Sequence, residues 1–241
     1  PIWLAERNPG FILVGAPKLM DMRGDLDSWY LSDVASGVAD HRYAFIGEIL
    51  YSHGDKSGGE ETLGGERYID PGSPGTARLV EELRGKAVPI MTHWEVYDWQ
   101  RDWPNFDKLY GAHPDQIFVW PHRGFASADQ AAIALAAHPN LWATLSKKEK
   151  ENENLADEDK EASIGPPVAD ACNVLDPQWK AFIIRFHDRL LFATDAHKPN
   201  RWSNYAKVVR RWREILGQLP PDVAQDIAYR NAARLYHLGQ K

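Results

Sequence analysis

The chain carries a single cysteine, Cys172, among its 241 residues. One thiol excludes an internal disulfide, so the fold must rest on its apolar core, and a reducing, cytoplasmic setting is the expectation. No apolar run reaches the roughly 18 residues that a membrane-spanning helix needs. No basic stripe is present either. Lys and Arg number 28 against 34 Asp and Glu, a formal charge of −6, which gives no electrostatic footprint for nucleic acid or an anionic membrane as partner. No strand-like run is followed by G-x-G-x-x-G or G-x-x-x-x-G-K-[ST], the loops that cradle phosphates, so an open nucleotide-binding sheet is disfavoured. The opening "PIWLAERNPG" has no charged leader before an apolar stretch and does not read as a signal peptide. It reads as the tail of a helix entering a turn.

What is present is a core and a rhythm. Hydrophobic residues make up 44% of the chain, enough to bury a sizeable interior in a single domain spanning residues 1–241. Short apolar runs at 11–19 (FILVGAPKL), 43–50 (YAFIGEIL), 87–94 (AVPIMTHW), 116–123 (QIFVWPHR), 141–146 (LWATLS) and 190–197 (LLFATDAH) read as buried strands. Helical spacing lies between them, at 26–40, from Thr76, near 104–112, at 128–138 and at 177–187. Further helices follow from Tyr205 to Pro220 and beyond Asp222, a candidate cap. Ser127 with Gln130 makes a capping-box pattern. Non-alternating apolar strands separated by helices argue a parallel sheet, either a barrel or an open doubly wound sheet. The Gly/Pro-rich stretch 52–75 reads as a loop and a lid candidate. The charge-dense stretch 147–161 reads as a solvated loop or exposed helix.

Four metal-competent residues recur at one place in this rhythm, the C-terminal end of a strand: Glu48, His93, His122 and Asp195. In a parallel α/β fold these ends share one face, where barrel enzymes do their chemistry. Each has a plain alternative. A histidine can be a hydrogen-bonded rim residue, a Glu after Gly can form an ion pair, and an Asp after Thr can cap a helix. Four on four different strands make a set of two imidazoles and two carboxylates. Such a set suits Zn²⁺, with Mn²⁺, Fe²⁺ or Co²⁺ as alternatives.

With these residues the chain resembles the amidohydrolase superfamily, and most its amidohydrolase-related branch of metal-dependent hydrolases and non-oxidative decarboxylases. The resemblance rests on "FIGEIL", "PIMTH", "FVWPHRG", "LLFATDAH" after "DR", and the closing "NAARLYHL". It implies a (β/α)₈ TIM barrel in which His93 and His122 follow strands five and six and Asp195 follows strand eight. Asp195 would bind metal and handle the proton of the attacking water. His122 would bind metal or polarise the scissile carbonyl, and Glu48 would bridge as a metal ligand. The family's first strand ends in His-x-His, and no His-x-His occurs in this sequence. Counted back from Asp195, residues 11–19 are strand three, and strands one and two are expected upstream of Pro1.

The resemblance implies hydrolysis of an amide, lactone or ester in a small organic substrate. Its alternatives are lyase chemistry, the metal-dependent loss of CO₂ from a hydroxylated acid, and a non-catalytic remnant of the fold. Candidate substrate contacts are Trp94, which opens an aromatic stretch that either walls a pocket or covers the barrel rim, and Arg123, which either clamps a carboxylate or forms a surface pair. His197 and His53 are further candidates, each placed beyond a strand-end carboxylate. Barrels of this kind often pair, so a homodimer is expected.

Overall fold

The computed structural model of the chain describes residues 2–8, 10–18, 24–53, 67–145, 167–196 and 199–238. One sheet organises them. Its strands are β1 (Ile46–His53), β2 (Arg67–Tyr68), β3 (Ile90–Trp94), β4 (Phe118–Trp120), β5 (Leu141–Thr144) and β6 (Leu190–Leu191), in the order β2-β1-β3-β4-β5-β6. Every neighbouring pair is parallel except β1 with β2, which run antiparallel through Ser52–Tyr68 and His53–Arg67. Helices fill the returns: α1 (Ile2–Arg7), α2 (Ser28–Ala39), α3 (Pro74–Leu83), α4 (Trp99–Ala112), α5 (Ala128–Ala137), α6 (Pro177–Phe186), α7 (Pro199–Ser203), α8 (Tyr205–Leu216), α9 (Pro221–Gln225) and α10 (Asn231–Leu235). This alternation is a partial (β/α)₈ arrangement. No helix among the described residues is long and apolar enough to cross a membrane.

Local chemistry explains the helix starts. Ser73 accepts a hydrogen bond from the Thr76 amide, Asp98 from Arg101, and Asp176 from Gln178 and Trp179. The capping box at Ser127 and Gln130 forms in both directions. Asp222 does not cap the last helical stretch. Pro220 holds the cap position and Pro221 opens α9, because a proline at the first helical position gives up no amide the helix would use.

Two strand readings and one loop reading need correction here. Of the run 11–19, the described residues 11–18 do not form a ladder strand. They make one parallel bridge, Gly15 to Phe45, the residue just before β1. Ala44 N–H donates to the Val14 carbonyl and Ala16 N–H to Phe45, and Pro17 then has no amide to continue. Gly47 admits this close approach, since a Cβ there would fall 2.7 Å from the Ala16 carbonyl oxygen. The stretch 52–75 is not all loop: it contains β2 and the start of α3, while 54–66 lie outside the described residues. The last strand is only Leu190–Leu191, and the chain beyond turns to a left-handed backbone at Asp195 (φ 48°). The charged stretch 147–161 also lies outside the described residues.

The core is continuous from α2 across β1, β3, β4 and β5 to α6 and α8. Its aromatic centre is a stack: Trp94 lies against Trp120 at 4.3 Å and against Phe106 at 4.4 Å between ring centroids. Polar side chains pin the strand starts. Asn140 Nδ2 donates to the carbonyls of Tyr110, His113 and Gln116, and Arg189 Nη1 to those of Leu135, His138 and Leu141. Asn231, fully buried, donates to the carbonyls of His187 and Leu190. The arginine of the "DR" motif and the asparagine that opens "NAARLYHL" therefore tie the last strand to its neighbours.

Candidate metal centre

The site begins with an irregularity in β1. Ile46 pairs with Ile90, but Ile49 rather than residue 48 pairs with Thr92. The extra residue is a bulge, and Glu48 lies within it. A bulge re-aims a side chain that strict alternation would send elsewhere. Glu48 Oε1 stands 3.7 Å from His93 Nδ1 and 3.5 Å from His122 Nε2. Its Oε2 is in contact with the Lys18 ammonium.

His122 owes its place to an uncommon backbone. The residues after β4 make one left-handed turn, with φ 55° at His122, 47° at Arg123, 57° at Gly124 and 59° at Phe125. Such a turn costs on the order of 1–2 kcal/mol per non-glycine residue. It is held by the His122 amide donating to Thr144 Oγ1 (2.8 Å), by Val96 N–H on the Gly124 carbonyl (2.9 Å) and by Trp120 Nε1 on the Trp94 carbonyl (3.0 Å). Gly124 is required, because a Cβ would sit 2.3 Å from the Trp94 carbonyl oxygen. Asp195, also left-handed, brings Oδ2 to 3.7 Å from His122 Nε2.

One ligand atom each from Glu48, His93 and His122 lies within 4.8 Å of the others. His93 Nδ1 is buried and has no hydrogen-bond partner. Its 3.7 Å gap to Glu48 Oε1 is too long for a hydrogen bond and suits two ligands on one ion. The residues present therefore fit a divalent cation. Burial alone would raise the Glu48 carboxyl, but the neighbouring His122 and His93 imidazoles, with the Lys18 ammonium, outweigh it and hold the group far below the usual carboxylate range. Burial opposes protonation of His93, yet Glu48 and Glu95 together lift its pKa above the ordinary value.

Of the other expected site residues, His53 stays beside the site and Trp94 and Arg123 leave it. His53 Nε2 lies 3.9 Å from Glu95 Oε1, and its ring is 5.3 Å from that of His93. His197 lies outside the described residues. Trp94 is corrected from substrate contact to core residue: it is 0% exposed within the aromatic stack, and its Nε1 donates to the Tyr110 hydroxyl. Arg123 is corrected likewise. It is 0% exposed with its guanidinium 4.4 Å over the Trp179 ring, and burial pushes its pKa down to about 9. A clamp on a substrate needs surface that neither side chain has.

Sequence reasoning gave no role to Lys18 or Thr144, and counted Glu95 and Tyr97 only within the stretch after His93 that either walls a pocket or covers the barrel rim. Glu95 is 0% exposed, with Oε1 3.3 Å from His93 Nε2 and Oε2 accepting from the Tyr97 hydroxyl at 2.5 Å. Its signal was available: it follows His93 by two residues, the spacing that keeps two side chains on one side of a strand.

The family model described as amidohydrolase matches residues 51–238. No curated protein matches the chain by sequence. Among solved structures, an uncharacterised TIM-barrel protein from Bordetella bronchiseptica aligns with a TM-score of 0.57 at 14% identity, over 100% of this chain and 72% of that one. A putative 2-pyrone-4,6-dicarboxylic acid hydrolase from Pseudomonas putida aligns at 0.59 and 12% identity, over 100% and 77%. A probable 2-pyrone-4,6-dicarboxylic acid hydrolase from Acinetobacter baumannii, with citric acid bound, aligns at 0.53 and 9%, over 98% and 77%. At such identities the likeness shows the fold alone.

Proposed function

We propose, since the chain belongs to the amidohydrolase family, that it is a metal-dependent hydrolase cleaving an amide, lactone or ester bond in a small organic substrate. The observation that carries this reading is the convergence of Glu48, His93 and His122 within 4.8 Å, with Asp195 3.7 Å from His122. Glu48, His93 and His122 would hold the cation, with Asp195 beside them, and zinc is the ion this nitrogen and oxygen set suits best. When bound, the cation supplies Lewis acidity, which lowers the pKa of a water from 15.7 to about 7.

The chain's own residues divide the remaining work. Asp195 Oδ2 takes the proton of the attacking water and returns it to the nitrogen or oxygen that departs, so the carboxylate ends each cycle as it began. Lys18 balances Glu48 on the oxygen turned away from the histidines. The left-handed turn fixes His122, so no reorganisation of that ring is needed during reaction. Lactones are the first substrates to try, because two fold relatives carry the name of a pyrone dicarboxylate hydrolase.

Elemental analysis tests the reading first. A near-stoichiometric divalent metal is expected, zinc above all. A folded chain that takes up none when metal is supplied would sink it. A panel of lactones, esters and amides then follows, with acid release and CO₂ release both recorded. Acid release supports hydrolysis, and CO₂ without net consumption of water would replace hydrolase with decarboxylase.

A further inference from the structure

Two ligand sets share one ring. Glu48, His93 and His122 form the first, and His53, His93 and Glu95 form another whose ligand atoms also lie within 4.8 Å. A neutral imidazole has one lone pair and one N–H, so His93 cannot serve both sets as a ligand while it keeps its proton. The distances decide between them. His93 Nε2 is 3.3 Å from Glu95 Oε1, within hydrogen-bond reach. His93 Nδ1 is buried, lacks a hydrogen-bond partner and faces Glu48 at 3.7 Å.

We propose that Glu95 is a positioning residue for the cation site: it accepts the His93 Nε2–H, and so commits Nδ1 to the ion shared with Glu48 and His122. This rests on the metal reading above and deepens it. The proton sits on Nε2, the lone pair on Nδ1, and the His53–Glu95 side of the ring is no second cation site. A carboxylate behind a ligating imidazole fixes its tautomer and orientation and makes it a stronger ligand.

Glu95 is itself built into place. Trp94 turns into the aromatic core, which sends Glu95 to the His93 side of the strand end. Its amide donates to the Ser52 carbonyl (3.1 Å), and Tyr97 holds the second carboxylate oxygen. A carboxylate with no exposure has lost its hydration, so these protein partners are what make its burial tolerable.

The experiment uses the whole chain and zinc. Zinc affinity is measured by competition with a chromophoric chelator for the unaltered chain, Glu95→Ala, Glu95→Gln and His53→Ala. The cobalt-loaded forms are examined by proton NMR for a slowly exchanging, paramagnetically shifted imidazole N–H. Glu95→Ala is expected to bind zinc about 10- to 100-fold more weakly and to lose the slow N–H signal. Glu95→Gln keeps an acceptor oxygen, so a smaller loss with the signal retained is expected, and this variant decides the matter if Glu95→Ala does not fold. His53→Ala is expected to leave the zinc stoichiometry unchanged. Equal zinc affinity in the unaltered chain and both Glu95 variants, with the N–H signal intact, overturns the inference alone. So does a second zinc that His53→Ala removes. An unaltered chain that takes up no zinc overturns the metal reading and this inference with it.

Discussion

Asp195 and the two ligating histidines can be separated by what each removes. Asp195→Asn keeps the size of the side chain but ends its service as a proton acceptor, so turnover should fall by about 100- to 10,000-fold while the fold and bound metal persist. Steady-state kinetics beside elemental analysis checks both halves, and full activity would refute the assigned role. His93→Ala with His122→Ala takes both nitrogen ligands from the set. That double variant should purify without metal and take up none on dialysis. Stoichiometric metal in it would show that the ion, if any, sits elsewhere. Of these single residues, the sequence singled out Glu48, His93, His122 and Asp195 by expected strand ends; His93 does lie near the end of β3, whereas Glu48 is third in β1 and Asp195 lies four residues past β6. It could not expose Lys18, which meets Glu48 from thirty residues away.

At the scale of elements, the left-handed turn from His122 to Phe125 is the costly part of the site, and Thr144 on the neighbouring strand β5 helps hold it. Thr144→Val removes the acceptor for the buried His122 amide and should cost about 1–3 kcal/mol of stability. Zinc affinity should fall with it, and Thr144→Ser should restore both. A Val variant with unaltered denaturation midpoint and zinc affinity would show that the turn holds without this bond. Gly124→Ala is expected to be worse, since its Cβ meets a backbone oxygen at 2.3 Å. The turn also explains why 116–123 read too long as a strand. Its apolar residues continue the pattern, but the backbone leaves the sheet after Trp120. The same holds after Leu191, where the pairing ends four residues before Asp195. The bulge at Glu48 left no mark that apolar patterning could detect, because it is defined by pairing with another strand.

For the molecule as a whole, the core carries a pH limit. Burial, the largest cause in each case, raises the phenol pKa of Tyr30, Tyr51 and Tyr110 well above the ordinary 10.0. A folded pKa above the unfolded one means that the native state binds more protons beyond pH 10, so stability is whole below that pH and falls as pH rises through it. At pH 11 each such tyrosine should remove about 1.4 kcal/mol. Urea unfolding at pH 9 and pH 11, with phenolate absorbance recorded alongside, measures this, and equal stability at the two values would contradict it. The strand-start clasps set a second expectation. Asn231→Leu leaves the His187 and Leu190 carbonyls without their donor, and a loss of about 1–3 kcal/mol should appear as a lower Tm.

By itself the sequence determined the alternation of strands and helices, the capping box at Ser127 and Gln130 and the parallel class of sheet, because apolar periodicity and capping are local properties of neighbouring residues. It also singled out four metal-competent side chains by expected strand ends, a pattern read from order along the chain, although Glu48 lies early in β1 and Asp195 beyond β6. Tertiary structure alone decided which of them converge, that Trp94 and Arg123 belong to the core, and that Glu95 stands behind His93. Each depends on contacts between segments far apart in sequence: a bulge set by pairing register, a turn held by a neighbouring strand, and burial that withdraws an aromatic ring or a guanidinium from any substrate.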